Sequence, residues 1–371
     1  MARLFSRSRP EREAERYFMA SSLQLTWLAF RRHRLGLVGG GIMLIFYLVA
    51  LFAEFVAPLG PLERDSKFAY AQPQRIRIVH EGRLSWPFVY GYKRSRHPES
   101  LRPIFTVDPK ARHPIRLFVQ SKPYKLWNLI PMKIKLFGIE EGHVFLFGSD
   151  KLGRDLFSRN IYASRVSLSI GLLGVAISFI LGVTLGGISG YYGGIIDVLI
   201  QRVVEFLLSV PRIPLWIAFA ATLPLDWPPI RVYFGITVIL SLMGWARLAR
   251  VVRGKFLELR EADFVMAART AGATDANIIR RHLLPSFMSY LIVNLTLAVP
   301  GMILAETSLS FLGLGIRAPA VSWGTLLQDA QNVQAVANHP WLLLPALFVV
   351  LVVLCFNFVG DGLRDAADPY K

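Results

Sequence analysis

A chain of 371 residues with 53% hydrophobic side chains and a mean hydropathy of +0.43 is too apolar for an ordinary soluble domain. The net charge of +17 would suggest nucleic-acid binding in a soluble protein, but basic residues beside apolar spans follow from membrane topology, so no nucleic-acid partner is expected. The single cysteine, Cys355, excludes an intramolecular disulfide. No GxxxxGK[ST] loop occurs in the sequence, so we predict a non-enzymatic polytopic membrane protein without a nucleotide, metal or other cofactor of its own.

The N-terminal segment, residues 1–34, is polar and basic, and it precedes an apolar run at 35–57. A bilayer core requires about 20 apolar residues, so this run predicts an uncleaved first span. The arginines before it predict a cytoplasmic N-terminus by the positive-inside rule.

Residues 58–163 form a polar region with no run long enough to cross a bilayer. Basic side chains outnumber acidic ones by about two to one there, but long regions translocate largely regardless of charge, so we predict a periplasmic insertion. Alternating or apolar patterns at 75–78, 115–119, 133–137 and 143–147 predict strands and hence a small β-rich module. The basic excess favours either electrostatic steering of an acidic partner or a cap on the outer face.

The insertion ends in GSDKLGRD at 148–155, where glycines alternate with charges. This pattern predicts a turn and a helix at the membrane interface. A structural role is the plainer interpretation, and a role in gating is the alternative. The candidate interface or gate residues are Gly148, Asp150, Gly153, Arg154 and Asp155.

The remaining region, 164–371, is predicted to carry five further spans, at 166–188, from 197 past 211, at 232–246, at 283–305 and at 341–360. Gly182, Gly186 and Gly190 place a flat face on the second span for close helix packing. Arg212 and Glu306 are charges at membrane depth or at a span end, so they are candidates for lining a pathway, with ordinary ion pairing of Glu306 as the alternative.

A polar loop at 258–285 separates the fourth and fifth of these six spans, and its basic residues predict that it is cytoplasmic. Asp263 is predicted to cap a helix at 264–271, Gly272 to end it, and Thr274 to cap a second helix. Phe264 and the alanines at 267, 268 and 271 share one face of the first helix. Such a face suits either a helix-in-groove contact with another protein or an interfacial position on lipid.

Several motifs in this chain resemble the permease subunits of binding-protein-dependent ABC importers. Ala267, Ala268 and Gly272 are similar to the EAA loop of that family, with Met266 where its glutamate stands. The segment 278–285, IIRRHLLP, resembles the variant of the dipeptide/oligopeptide subfamily. GSDKLGRD at 148–155 is similar to its GTD-x-x-GRD signature, and SFLGLG at 310–315, SWG at 322–324 and GDGLRDAADP at 360–369 resemble further family segments.

The resemblance implies an all-α polytopic fold with six transmembrane helices of the type I ABC importer permease, placed in a bacterial or archaeal cytoplasmic membrane with both termini in the cytoplasm. It also implies partners: a second permease subunit, two ATP-binding subunits that hold ATP and Mg, an external solute-binding protein and membrane lipid. Phe311 and Trp323 would join the periplasmic interface. The ATPase-coupling helix would comprise Asp263, Phe264, Ala267, Ala268, Arg269 and Gly272.

Peptides are the solute class that the resemblance favours, with oligosaccharides or nickel as alternatives within the family. The mechanism it implies is alternating access driven by the ATP-binding subunits. The competing class is a self-sufficient secondary transporter. That class would carry several intramembrane carboxylates, paired broken helices and internal symmetry, which this sequence does not display.

Overall fold

The computed structural model describes residues 22–80, 82–96, 98, 103–140 and 142–367. Most of this part of the chain is helical, and a β-rich module lies between the first two long helices. The helices are α1 Ser22–Phe30, α2 Arg34–Leu51, α3 Ala53–Val56, α4 Leu156–Tyr192, α5 Gly194–Ser209, α6 Arg212–Ala221, α7 Pro229–Leu259, α8 Asp263–Thr270, α9 Asp275–Ile278, α10 Leu284–Ser286, α11 Met288–Phe311, α12 Trp323–Leu327, α13 Val333–Asn338 and α14 Leu344–Ala367. A π-helical turn, Ile279–Leu283, joins α9 to α10, and short 3-10 turns occupy Ser66–Phe68, Gln328–Gln331 and Pro340–Leu343.

Among the described residues, five helices are long and apolar enough to cross a membrane: α2, α4, α7, α11 and α14 with the turn before it. The helices α5 and α6 together make a sixth span if the pair is counted as one, although the chain bends by 93° between them. Pro211 lies at this bend, where its ring and missing N–H interrupt the helical hydrogen bonds. The expected polytopic helical fold with a β-rich insertion is confirmed.

Several helices extend beyond the apolar runs that predict them. The helix α4 begins at Leu156, inside the predicted insertion, because Asp155 caps it there. Its first turns carry polar residues and precede the apolar run. The helix α7 likewise continues to Leu259, well past the predicted end at 246. Hydropathy therefore located the spans but not the ends of their helices.

The insertion contains two antiparallel sheets. Strands β1 Arg77–His80, β2 Arg83–Arg96 and β3 Pro103–Pro114 form one, and β4 Arg116–Leu126 and β5 Ile130–Gly138 form a hairpin. The strand predicted at 143–147 is wrong, because these residues lie outside every strand. Their apolar character has another cause: Phe145 is buried against Phe68 and Phe105, and its backbone N–H and carbonyl both pair with Gln74.

Two contacts hold the hairpin on the end of the first span. The indole nitrogen of Trp127 donates to the carbonyl oxygen of Leu51 at 2.7 Å, and Lys135 Nζ donates to that of Ala57 at 2.8 Å. The insertion is thus fixed to the helical body rather than tethered only by its two connections. We call this the insertion end of the molecule, and the opposite end, which carries α8, the α8 end.

The core of the helical body is built on α4, whose glycine face packs against α7. A Cβ atom on Gly186 would lie 2.5 Å from the carbonyl oxygen of Ala249, and one on Gly190 would lie 2.6 Å from that of Arg253. Both distances are shorter than any side chain tolerates, so the predicted packing role of these glycines is confirmed. Cys355 is buried in the same body, as expected from its apolar surroundings.

Candidate functional site

The helix α8 presents one face outward and fastens the other to the body. Phe264 is 43% exposed and Ala267 is also exposed, whereas Val265 is fully buried in a cluster that includes Ile278 and Leu283. The buried valine holds the helix in place while the exposed face remains available for contact. Phe264 and Ala267 of the predicted face are therefore on the surface, whereas Ala268 of that face is partly buried against the same cluster.

Two details of this helix differ from the expectation. Asp263 is its first residue, not its cap: Ala262 is the N-cap, and no side chain accepts a cap hydrogen bond there. Thr274 occupies the N-cap position of α9, but its side chain makes no cap hydrogen bond either. The carboxylate of Asp263 still favours the helix through the positive end of the helix dipole. Gly272 ends the helix as predicted, with a positive φ of 78° that a glycine adopts without strain.

Arg269 contacts another residue of its own chain. Its guanidinium lies 5.5 Å from the ring centre of Tyr191, at the end of α4, and the hydroxyl of Tyr191 donates to Asp275 at 2.6 Å. These contacts tie α8 and α9 to the end of the longest helix.

The GSDKLGRD motif forms a buried clasp at the insertion end. The Asp150 carboxylate, 1% exposed, accepts from Arg154 Nε at 2.7 Å and from a terminal nitrogen of Arg159. It also accepts from two backbone N–H groups of its own loop, those of Leu152 and Arg154. A carboxylate with this many charged and neutral donors keeps the loop rigid.

Gly148 and Gly153 are required in this clasp because other backbone segments pass too close for a side chain. Gly148 and Gly153 have φ values of 76° and 72°, and a Cβ on Gly153 would collide with the carbonyl oxygen of Asp65. A Cβ on Gly148 would lie 2.8 Å from the carbonyl oxygen of Ala71. The strap of residues 65–74 thus lies directly on the clasp.

Asp155 caps α4 at the same place. Its side chain accepts from the backbone N–H groups of Phe157 and Ser158 at 3.3 and 2.8 Å. Burial raises the pKa of Asp155 to about 6, because removal from water disfavours the charged form more strongly than these donors favour it. The carboxyl is therefore a group whose charge responds to mildly acidic pH.

Glu306 is fully buried inside the subunit, so the structure corrects its assignment as a candidate for the pathway wall. Its carboxylate oxygens accept from Ser310 Oγ at 2.7 Å and Ser167 Oγ at 3.1 Å. Ser167 Oγ in turn accepts from the backbone N–H of Trp323, whose side chain is also fully buried. These bonds connect α11, α4 and α12, and Glu306 acts as a junction between helices.

Phe311, at the end of α11, is half-buried, and its carbonyl oxygen accepts from the side-chain amide of Gln331. It lies at the insertion end with Trp323. Phe311 therefore connects the end of α11 to the 3-10 turn Gln328–Gln331, and Trp323 connects the start of α12 to α4 through Ser167.

Arg212 does line a cavity. A space of about 340 Å³ lies among α4, α6, α7 and α11, and its wall includes Arg212, Trp216 and Arg247. A larger cavity of about 770 Å³ lies at the α8 end, between α11 and α14, and includes Tyr290 and Asp361. Asn294 and Leu297 of α11 belong to the walls of both cavities, which places the two side by side along one helix.

Arg247 was not recognised from the sequence. The apolar run of the fourth span ends at 246, so Arg247 falls outside the predicted span. The helix continues instead, and Arg247 lies within α7 on the cavity wall. A run of helix-forming residues from 247 to 259 without a glycine or proline, except Gly254, is the signal that could have extended the helix.

A family model described as the inner membrane component of binding-protein-dependent transport systems matches residues 182–370, just over half of the chain. A second, described as the N-terminal TM domain of oligopeptide transport permease C, matches residues 21–73. The chain belongs to the family of binding-protein-dependent transport permeases. It is a transmembrane permease subunit of an ATP-driven ABC importer.

Named relatives narrow this class. The dipeptide transport system permease protein DppC of Bacillus subtilis is 43% identical over 224 residues, which are 60% of this chain and 68% of that protein. DppC of Lactococcus lactis is 31% identical over 350 residues, 94% of this chain and 91% of that protein, so the aligned region includes the insertion. Among solved structures, an inward-facing MetNI methionine ABC transporter is similar, with 19% identity, a TM-score of 0.46 and coverage of 57% of this chain and 97% of that chain.

Proposed function

We propose that this chain forms half of the translocation pathway of a peptide importer. The peptide assignment is supported by the relatives, which are named as permeases of dipeptide and oligopeptide transport systems. The other half would be a second permease subunit. A solute-binding protein would deliver the peptide at the insertion end, on the periplasmic or extracellular side.

ATP hydrolysis would take place on two ATP-binding subunits, which supply ATP and Mg, while this chain binds no cofactor. The observation that carries this proposal is the exposed Phe264 and Ala267 face on a helix anchored by the buried Val265. An aromatic side chain beside small residues enters a groove on another protein in the manner of a helix anchor. The α8 end, and both termini with it, would then lie in the cytoplasm of a bacterial or archaeal cell.

The GSDKLGRD clasp would hold the insertion against the start of α4 during transport rather than open and close. Its buried ion pairs support a rigid element. Its two glycines support the same conclusion, because backbone atoms lie too close to them for any side chain. The π-helical turn at Ile279–Leu283, which follows α8 and α9, is the more suitable place for movement, since such turns often mark functional sites and hinges.

Substitution of Ala267 by tryptophan tests the coupling role. The side chain is exposed, so Ala267→Trp should leave folding and membrane insertion intact, whereas overpacking a fitted contact costs about 1 to 3 kcal/mol. In proteoliposomes with the partner subunits, peptide uptake per ATP hydrolysed should fall by about tenfold or more. Labelled dipeptide is the substrate in this assay.

The matched control is Ala337→Trp, the same change at an exposed alanine of α13, near the insertion end. It should leave uptake per ATP unchanged. Ala267→Trp is preferable to a change at Ala268, which is partly buried against the chain's own core. Normal coupling in Ala267→Trp would show that α8 is not the docking helix.

A further inference from the structure

Two arginines share the wall of the 340 Å³ cavity. Arg212 begins α6 directly after the bend of the broken span, and Arg247 lies within α7. Across the described ranges of the chain, no acidic side chain forms an ion pair with either of them.

This arrangement leaves two positive charges open to the cavity, since Arg247 is exposed and Arg212 is partly exposed. A guanidinium group does not lose its proton in proteins, so the pair cannot become neutral. Charges among membrane-spanning helices face protein or water rather than lipid. An anion that enters the cavity would therefore meet two fixed positive charges.

The cavity has the size and lining of a site for a small, variable ligand. Its volume of about 340 Å³ lies within the range of small-molecule pockets, roughly 300 to 1,000 Å³. Met243 and Met302 contribute flexible thioether walls that adapt to different shapes. Trp216 adds an indole N–H that is buried without an acceptor among the described residues. Such a donor beside two arginines fits a ligand that brings acceptor oxygens.

The position of the cavity also fits a ligand in transit. Asn294 and Leu297 extend its wall into the 770 Å³ cavity at the α8 end, so a continuous surface leads from the arginines towards that end. An acidic side chain of a neighbouring subunit could pair with the arginines without this connection between the two cavities. A solute that passes through the subunit would require the connection.

We infer that Arg212 and Arg247 bind the terminal carboxylate of the peptide inside the translocation pathway. This inference rests on the proposed function. The planar fork of a guanidinium matches a carboxylate with two parallel hydrogen bonds. Every linear peptide carries this group whatever its side chains, so the site holds varied substrates by the one anion they share, while the methionine walls accommodate the rest.

The test measures binding of a labelled dipeptide and of its C-terminal amide to the purified importer complex in lipid nanodiscs, without the solute-binding protein. The wild-type complex should bind the free acid at least about tenfold more tightly, the change expected for one charge-assisted hydrogen bond. Arg212→Gln and Arg247→Gln should each reduce this preference. Arg250→Gln, an equal loss of charge on the same helix but off the cavity wall, should retain it.

Two further variants distinguish an effect on the binding site from an effect on folding. Arg247→Lys keeps the charge and should retain part of the preference for the acid. Gly301→Leu fills open space on the cavity wall, where an added Cβ would meet nothing within 4 Å, and should weaken the acid and the amide alike. Copurification of the second permease subunit checks assembly in every case.

An equal affinity of the wild-type complex for acid and amide overturns the inference, as does an unchanged preference in both glutamine variants. Loss of the second permease subunit from those variants, with the preference unchanged, would assign the arginines to an acidic residue of that subunit. The proposed function fails separately, if the wild-type complex with its binding protein imports no peptide into proteoliposomes.

Discussion

Asp155 combines two roles that place opposite demands on its charge. As the N-cap of α4 its carboxylate accepts from two backbone N–H groups, which favour the ionised form. It is also 2% exposed, and burial raises its pKa to about 6. The folded protein therefore holds this proton more tightly than the unfolded chain, in which an aspartate titrates near 4.

We predict that Asp155→Asn stabilises the protein in a pH-dependent way. Because the folded-state pKa is raised, the contribution of Asp155 to stability is complete below about pH 4 and is lost as pH rises through about 6. Asparagine caps a helix equally well and carries no charge to bury. The variant should match the wild type near pH 4 and exceed it by about 2 to 3 kcal/mol above pH 7.

Apparent melting temperatures of the purified complex between pH 4 and pH 8 measure this difference. Only the difference between variant and wild type matters, because other groups titrate in both. A variant that is less stable than the wild type at pH 7 would show that the N–H donors outweigh burial and keep the carboxylate ionised.

At the scale of elements, the contact between α4 and α7 depends on glycines that let two backbones meet. We predict that Gly186→Leu prevents this packing, since even a Cβ there would lie 2.5 Å from the carbonyl oxygen of Ala249. Overpacking costs typically about 1 to 3 kcal/mol, and a clash with backbone is at the upper end because the backbone cannot rotate away. The yield of assembled complex in size-exclusion chromatography should fall sharply.

Gly41→Leu provides the matched control. This glycine lies in α2, another predicted span, and an added Cβ would meet nothing within 4 Å. It should assemble as the wild type does. Equal yields from the two leucine variants would mean that α4 and α7 can separate without loss of the fold.

At the scale of the whole molecule, most of the insertion lies outside the two regions that the family models match. It is fixed to the body by the hairpin, since Trp127 and Lys135 donate to carbonyl oxygens at the end of the first span. Its basic side chains outnumber its acidic ones by more than two to one in 76–142. Such a charge increases the rate of encounter with an acidic partner and is screened by salt.

We predict that replacing residues 76–142 with a short flexible linker leaves assembly intact but weakens docking of the solute-binding protein. The ends of the deletion are adjacent, since the Gln74 backbone N–H donates to the Phe145 carbonyl oxygen at 2.8 Å. The strap on the GSDKLGRD clasp also remains. The concentration of binding protein for half-maximal uptake should rise, and its dependence on salt should decrease.

Uptake titrated with binding protein at low and high salt measures both effects. An assembled deletion variant with unchanged dependence on concentration and salt would exclude docking as the role of the insertion. A variant that fails to assemble would instead favour the alternative in which the insertion is a stabilising cap.

The sequence by itself determined the features that depend on neighbours along the chain. Apolar runs locate the spans, the turn at Gly272 ends α8, and the three-residue spacing of Phe264 and Ala267 predicts its outward face. The motifs at 148–155 and 263–285 are local strings, so they indicate the family without knowledge of the fold. Each of these properties follows from hydropathy, backbone freedom or spacing within a few turns.

The tertiary structure decided what depends on residues distant in sequence. By sequence alone, Glu306 is equally compatible with a pathway wall or with the interior of the subunit. The hydrogen bond from Ser167, more than a hundred positions away, places it in the interior. Residues 143–147 have the apolar pattern of a strand, but the backbone of Phe145 pairs with Gln74 rather than with a strand, and its ring is buried against Phe68 and Phe105. Arg212 and Arg247 become neighbours only where the bent span meets α7, since proximity between distant segments leaves no periodic trace in the sequence.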